Sequence, residues 1–250
     1  MIQEFYYGAA WHWPLPYLPR VMLSYNFTRT LKKPWKIEIP FMMDSGAYSV
    51  ILKYGKYPYS AEDYASNIEL WKPDIAWTMD FPCEPSVRKS GNYDPREAQV
   101  LTNQNSRKLE ELTDFPVSNV VQGWTLEDYL ANIDLIKEEG LMTERLGIGS
   151  VCRRGKTQEV ARIIRQIHRN IPGWVKLHGF GIKTDVLNTP ARYDLHSADS
   201  MSWAYSWRGF TRNERTMKVK ILGLQKYINA IEPLLVPPDI TLKDFMEVPA

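Results

Sequence analysis

Phe41-Met42-Met43-Asp44-Ser45-Gly46-Ala47-Tyr48-Ser49 reads as a short apolar strand that stops on a carboxylate, a hydroxyl and a glycine. The same ending recurs on either side of it. Apolar segments at 75–81, 118–122, 145–151 and 174–180 run into Asp80-Phe81-Pro82, Gln122-Gly123, Gly149-Ser150 and His178-Gly179. Further strand patterns cover 21–27, 40–44 and 193–196, the last leading into Ser197-Ala198-Asp199. Helix patterns fall between them, at 61–71, 95–112, 126–139, 157–170 and 213–234. Ser60 with Asp63, Asp94 before Pro95, and Thr125 before Leu126-Glu127-Asp128 are N-terminal helix signals; Gly140 and Gly173 sit where helices should stop.

Alternating strands and helices call for a parallel sheet with helices outside. An open doubly wound sheet usually opens on a glycine-rich phosphate turn, and no GxGxxG or GxxxxGK follows the first strand pattern. Polar residues at the C-terminal ends of successive strands are how a β/α barrel assembles a site. The expected fold is therefore α/β, a (β/α)8 TIM-type barrel, regular or irregular, forming a single domain over residues 1–250.

Composition bounds the function. The chain has 250 residues, 44% hydrophobic and 24% charged, which is globular rather than disordered. Its 9 Trp, 14 Tyr and 8 Phe can line a planar-ligand pocket, although most such rings build cores. A net charge of +2 sets up no global field for nucleic acid or membrane. Charge is uneven, however: residues 151–220 hold 14 Lys/Arg against 5 Asp/Glu, a net +9 that leaves −7 for the rest. This concentration fits either solvated helix faces or a polyanion-binding side. Cys83 and Cys152 are too few for a disulfide framework or a Cys-rich zinc site, and both read as packed thiols. With no signal pattern and no apolar run of about 18 residues, the expectation is a cytoplasmic protein without membrane spans.

Asp44, Asp80 and Asp199 are three carboxylates at strand ends, joined by Gln122 and a tight Gly147-Ile148-Gly149. Each alone also fits a cap or turn; in a barrel, all three converge on one mouth. These segments resemble the tRNA-guanine transglycosylases. Phe41–Ser49 resembles their DSGG[FY]Q segment, Met79–Cys83 their LD-x-C, Val120–Gly123 their VQGG, Leu146–Gly149 their GLAVGE, Leu177–Gly181 their LMGVG, and Ser197–Ser200 their FDC segment. Six weak motifs in the family's order cover most of the chain. The form Ser197-Ala-Asp-Ser-Met-Ser-Trp203 is most similar to the DNA-acting branch, the DpdA-like deazaguanine-in-DNA transglycosylases.

The resemblance implies a base exchange through a covalent sugar–enzyme intermediate. Asp199 would be the nucleophile on C1′ and Asp44 the general acid/base, a division like that of retaining glycosidases. Asp80 would accept the N–H groups of a guanine-type base. Gln122 and the Gly123 N–H would read its carbonyl edge, and the Leu146 carbonyl, beside Gly147, its exocyclic substituent. Tyr48 would stack on the ring and His178 lie beneath it, with Ser45, Gly46 and Gly179 shaping the pocket. Arg153, Arg154, Lys156, Arg208, Arg212 and Arg215 would meet phosphates, and Trp203 and Trp207 an unpaired base or sugar. The implied partners are nucleic acid, DNA favoured with tRNA the alternative, and a 7-deazaguanine base such as 7-cyano-7-deazaguanine. A homodimer or partner protein also fits the family. A non-catalytic nucleic-acid-binding relative and a nucleosidase are the competing readings, and retention of both Asp44 and Asp199 speaks against the first.

The sequence also departs from the family. Ser49 stands for a Gln, Ser150 for the Glu ending GLAVGE, and His178 for a Met. The zinc motif of the tRNA enzymes, and with it their zinc subdomain, is missing, so no zinc and no other cofactor is expected. His12, His168 and His196 are not spaced as metal ligands. Trp11-His12-Trp13-Pro14 fits a base clamp or a cover over the barrel's bottom, and we read it as cover.

Overall fold

The structure is a computed structural model that describes residues 2–205 and 216–235. Eight parallel strands close into a barrel: β1 (Glu4–Ala9), β2 (Val21–Ser24), β3 (Phe41–Asp44), β4 (Ile75–Trp77), β5 (Val117–Val121), β6 (Arg145–Ile148), β7 (Lys176–Gly179) and β8 (Ser197–Ser200), with β8 pairing back to β1. Around it lie α1 (Tyr25–Thr28), α2 (Ala47–Tyr54), α3 (Ala61–Trp71), α4 (Pro85–Gly91), α5 (Pro95–Leu112), α6 (Leu126–Glu138), α7 (Thr157–Asn170), α8 (Thr184–Leu187) and α9 (Met217–Ile231). The fold is a (β/α)8 barrel, as its strand endings implied.

Local chemistry sets the long helices. Ser60, Asp94 and Thr125 each close a capping box with the acidic residue three positions on, and so start α3, α5 and α6 where the sequence placed them. Gly140 takes φ +70° beyond α6, a conformation that costs a glycine nothing. Apolar faces of the helices meet the outward faces of the strands in the main core, including Leu23, Met43, Val121, Leu146, Ile148 and Leu177. Inward-facing residues form a second core inside the barrel: Tyr6, Met22, Met42, Ile75, Trp77 and Val120, with Phe180 packed on it. At its N-terminal end the interior is polar. Glu4 lies 3.1 Å from Arg145 and 3.7 Å from His196. Burial works to raise the Glu4 carboxyl, but His196 and Arg145 outweigh it and hold it down at about 2.

Several elements differ from the sequence reading. β1 is not among the expected strands: Phe5, Tyr6 and Tyr7 favour a strand, but no turn residue marks the start of Glu4-Phe-Tyr-Tyr-Gly-Ala9. The strand pattern at 21–27 stops at Ser24, where Tyr25–Thr28 turns into α1. The segment 193–196 is not a strand: Pro190–Asp194 is a 3-10 turn, and the strand is the polar Ser197–Ser200. Short helices α2, α4 and α8 carry too few turns to show a period. Trp11–Pro14 does not cover the bottom. It leaves the C-terminal end of β1, where Trp11 and Trp13 pack edge-on to Trp203 at 6.3 and 5.7 Å.

Candidate active site

Parallel register brings the polar strand ends to one level. Ser24 pairs with Asp44, and Asp199 pairs with Tyr6, so β2, β3 and β8 carry Ser24, Asp44 and Asp199 to the same mouth. Gly46 makes the turn after Asp44 with φ +78°; a side chain there would strike the Ser24 hydroxyl and Asn26. Its N–H donates to Asp44 Oδ1. Asp199 is nearly buried, and its Oδ1 accepts the Gly181 N–H at 2.8 Å. Burial, and then the nearby charge of Asp199, push the Asp44 carboxyl up to about 7 against the Gly46 N–H and the Ser24 hydroxyl. Two neighbouring carboxyls, one able to hold a proton at neutral pH, are the raw material for paired nucleophilic and acid/base work.

Asp80 follows β4 at the same mouth. Burial raises it to about 7, with repulsion from Asp44 and Glu84 adding to the effect. Gln122 Nε2 donates to Asp80 Oδ2, and Ser45 Oγ lies 3.4 Å from Oδ1. Tyr57, which the sequence reading missed, donates to the Asp80 carbonyl at 2.5 Å and lies 3.1 Å from Ser45 Oγ. Tyr59 donates to the Ser45 carbonyl. Ser45 is thus a brace for Asp80 rather than a surface. Gln122 is fully buried and lies against Gly149, where any side chain would collide with its amide. Gly147 similarly leaves room for Phe180, Gly123 for the start of α6 and Gly179 for Ile182.

His178 pairs with Ser197, one inward layer below Asp199. It is fully buried in mid-barrel, its ring 4.8 Å from Trp77 and 4.8 Å from Phe180, with Nδ1 2.9 Å from Ser197 Oγ. Burial holds it below the usual imidazole range, so the ring is neutral at pH 7 and the 3.4 Å approach of Nε2 to Asp199 is no ion pair. Phe180, two residues on and partly open, is the ring nearer the mouth; alternation along β7 was the available signal. Leu146 lies deep in β6 with its side chain among the helix-facing core, flanked by ladder bonds from Lys176 to Glu144 and from Phe180 to Ile148. The evenly spaced parallel ladder engages its carbonyl with β7. Tyr48 is partly open, and the Arg153 guanidinium sits over its ring at 5.0 Å.

Two of the basic and aromatic candidates are corrected. Arg154 is buried, donating to the Ser150 carbonyl at 3.0 Å and the Trp124 carbonyl at 2.6 Å and pairing with Glu159; it organises a loop and presents nothing to a phosphate. Trp203 is fully buried, its indole N–H donated to the Gly8 carbonyl at 2.9 Å, because it plugs the space behind β1. Arg153 and Lys156 are exposed. Trp207, Arg208, Arg212 and Arg215 lie outside the described residues. Among the described residues, no cluster of His, Cys, Asp or Glu is arranged to hold a metal ion, and no helix is long and apolar enough to cross a membrane.

Comparison with known families agrees with this geometry. The model of the DpdA family, "DeoxyPurine in DNA protein A", matches residues 22–214, from β2 past β8. The chain belongs to that family. No curated protein matches it. DpdA is a transglycosylase-type enzyme family, similar to the tRNA-guanine transglycosylases and tied to DNA modification. The DpdA match spans Asp44, Asp80, Gln122 and Asp199, and leaves out β1, whose Tyr6 pairs with Asp199 in the barrel wall.

Proposed function

We propose that this chain replaces guanine in DNA with a 7-deazaguanine, such as 7-cyano-7-deazaguanine, through a covalent Asp199–sugar intermediate and without zinc. The observation that carries the reading is the Asp44–Asp199 pair, in which the charge of one helps keep a proton on the other near pH 7. Asp199 attacks C1′ as the bond to guanine breaks, and the Asp44 proton goes to the departing base. The incoming base then attacks C1′ through N9, displaces Asp199 and returns its N9 proton to Asp44. Asp80, with Gln122 bonded to it, accepts the N–H groups of either base. A site built to pair such groups rejects bases without them. The decisive experiment gives duplex DNA, single-stranded DNA and tRNA separately to the protein with labelled 7-cyano-7-deazaguanine. Label in DNA supports the proposal, label in tRNA alone moves the substrate to tRNA, and label in none overturns exchange.

Two expected results follow from named residues. Asp80→Asn loses a charge-assisted bond to the base and should weaken binding of 7-deazaguanine by about 1.5–3 kcal/mol. Calorimetry with the free base checks this; equal affinity removes Asp80 from the base pocket. Arg153 and Lys156 are exposed on the strongly basic segment, so replacing both with Ala should flatten the salt dependence of DNA binding, by about one unit of slope for each phosphate they neutralise. An unchanged slope returns them to the solvated surface.

A further inference from the structure

Glu84 is a buried carboxyl that the exchange described above leaves unused. Its Oε2 lies 2.8 Å from Ser150 Oγ. The same oxygen of Ser150 is 2.7 Å from Gln122 Oε1 and accepts the Cys83 N–H at 2.6 Å. Gln122 then donates to Asp80. Ser150 holds φ +56°, which is uncommon for a residue with a side chain, and this backbone aims its hydroxyl into the chain of hydrogen bonds.

The donor and acceptor inventory gives this chain a direction. A serine hydroxyl has one proton and two lone pairs. The Cys83 N–H takes one lone pair. Gln122 Oε1 only accepts, so the serine proton points to it while the amide NH2 faces Asp80. The second lone pair needs a donor, which Glu84 supplies only as the neutral acid. An ionised Glu84 draws the serine proton to itself. The satisfied arrangement then has the Gln122 amide turned over, its Oε1 facing Asp80 and a proton on Asp80. The four groups therefore share one proton, held at Glu84 or at Asp80.

We propose that Glu84, acting through Ser150 and Gln122, sets the protonation state in which Asp80 meets the base. With the proton on Glu84, Asp80 is a pure acceptor for the N–H-rich edge of a guanine-type base. With the proton on Asp80, the pocket offers an O–H donor to a base edge that carries an acceptor. Glu84 is thus a positioning residue that selects the class of base, and the inference rests on the reading that Asp80 faces the base.

The surroundings favour such competition. Burial raises Glu84 above the usual carboxylate range, although Ser150, Arg154 and Cys152 pull it down. Cys152 Sγ is 3.8 Å from Oε1, and the charge of Glu84 is felt by Cys83, Tyr93 and Tyr129. Asp80 faces Asp44 and Glu84 and acts on Tyr57, Tyr59, Tyr64, Tyr93 and Cys83. Arg154 is the cation facing Glu84, and its guanidinium is committed to Glu159 and to the Ser150 and Trp124 carbonyls.

The test follows protonated carboxyls by infrared absorption across pH, and binding of 7-cyano-7-deazaguanine by calorimetry, in the full chain. Wild type should show a buried COOH band that Glu84→Gln removes. Glu84→Ala should weaken base binding about tenfold through the donor it deletes. Glu84→Gln, whose amide donates to Ser150 as the acid does, should restore affinity and flatten its decline toward alkaline pH. In Ser150→Ala, titration of Asp80 should no longer respond to Glu84→Gln. The glutamine variant keeps the shape of Glu84 and carries the test even if Glu84→Ala does not fold. No COOH band dependent on Glu84, or the same pH profile of affinity in wild type and Glu84→Gln, overturns the proposal. Infrared coupling in a protein that binds no base overturns the base-exchange reading, and base selection with it, and leaves only the proton shared by Glu84 and Asp80 standing.

Discussion

Asp199→Asn is expected to bind DNA and the free base normally while losing the sugar–enzyme adduct and exchange, by at least about 10⁴-fold in rate. The substitution is conservative where the fold needs it. An asparagine Oδ1 can still accept the Gly181 N–H that Asp199 accepts at 2.8 Å, so β8 and the turn after β7 stay in place. An amide cannot act as the nucleophile on C1′. Removing the negative charge also takes away one cause of the raised Asp44 carboxyl, so the pH profile of any residual activity should shift to lower pH. Mass analysis of enzyme mixed with DNA reads the adduct directly. Exchange surviving near the wild-type rate would move the nucleophile elsewhere, with Asp44 the first suspect.

Asp44→Asn should lower exchange by roughly 10²–10⁴-fold, the usual range for a general acid/base, and leave adduct chemistry more sensitive to the acidity of the incoming base. It should also change stability in a definite direction. The carboxyl sits at about 7 in the fold against 3.8 as an ordinary group, so the folded state holds a proton that the unfolded chain has released between those values. Stability contributed at this site is therefore present at low pH and is lost as pH rises through about 4 to about 7. Asp44→Asn has nothing to ionise. Its melting temperature should gain on wild type across that window and be level with it below. The comparison must be between the two proteins, because His178, held neutral by burial, drives stability the opposite way as pH falls through the histidine range. A constant difference from pH 4 to 8 would show that Asp44 ionises in the fold as it does in water.

The sequence by itself determined the repeat and the level of the site. Helices α3, α5 and α7 were legible to the residue, because capping residues and periodic apolar faces act locally. Asp44, Asp80, Gln122 and Asp199 could be singled out because polar side chains at the ends of apolar strands are costly to bury without a purpose. The tertiary structure decided the rest. Ser197–Ser200 is a strand only because its neighbours pair with it: Ser197 turns inward to His178 and Asp199 to the mouth, so a site-building strand loses the apolar signature by which strands are recognised. Arg154 and Trp203 look in sequence like groups for a polymer, yet burial gives them carbonyls to satisfy instead. Glu84 lies 66 residues from Ser150, and no spacing rule joins them. Caps and periodicity are written within a few neighbouring residues; which carboxyl shares a proton with which depends on distances that only the closed barrel creates.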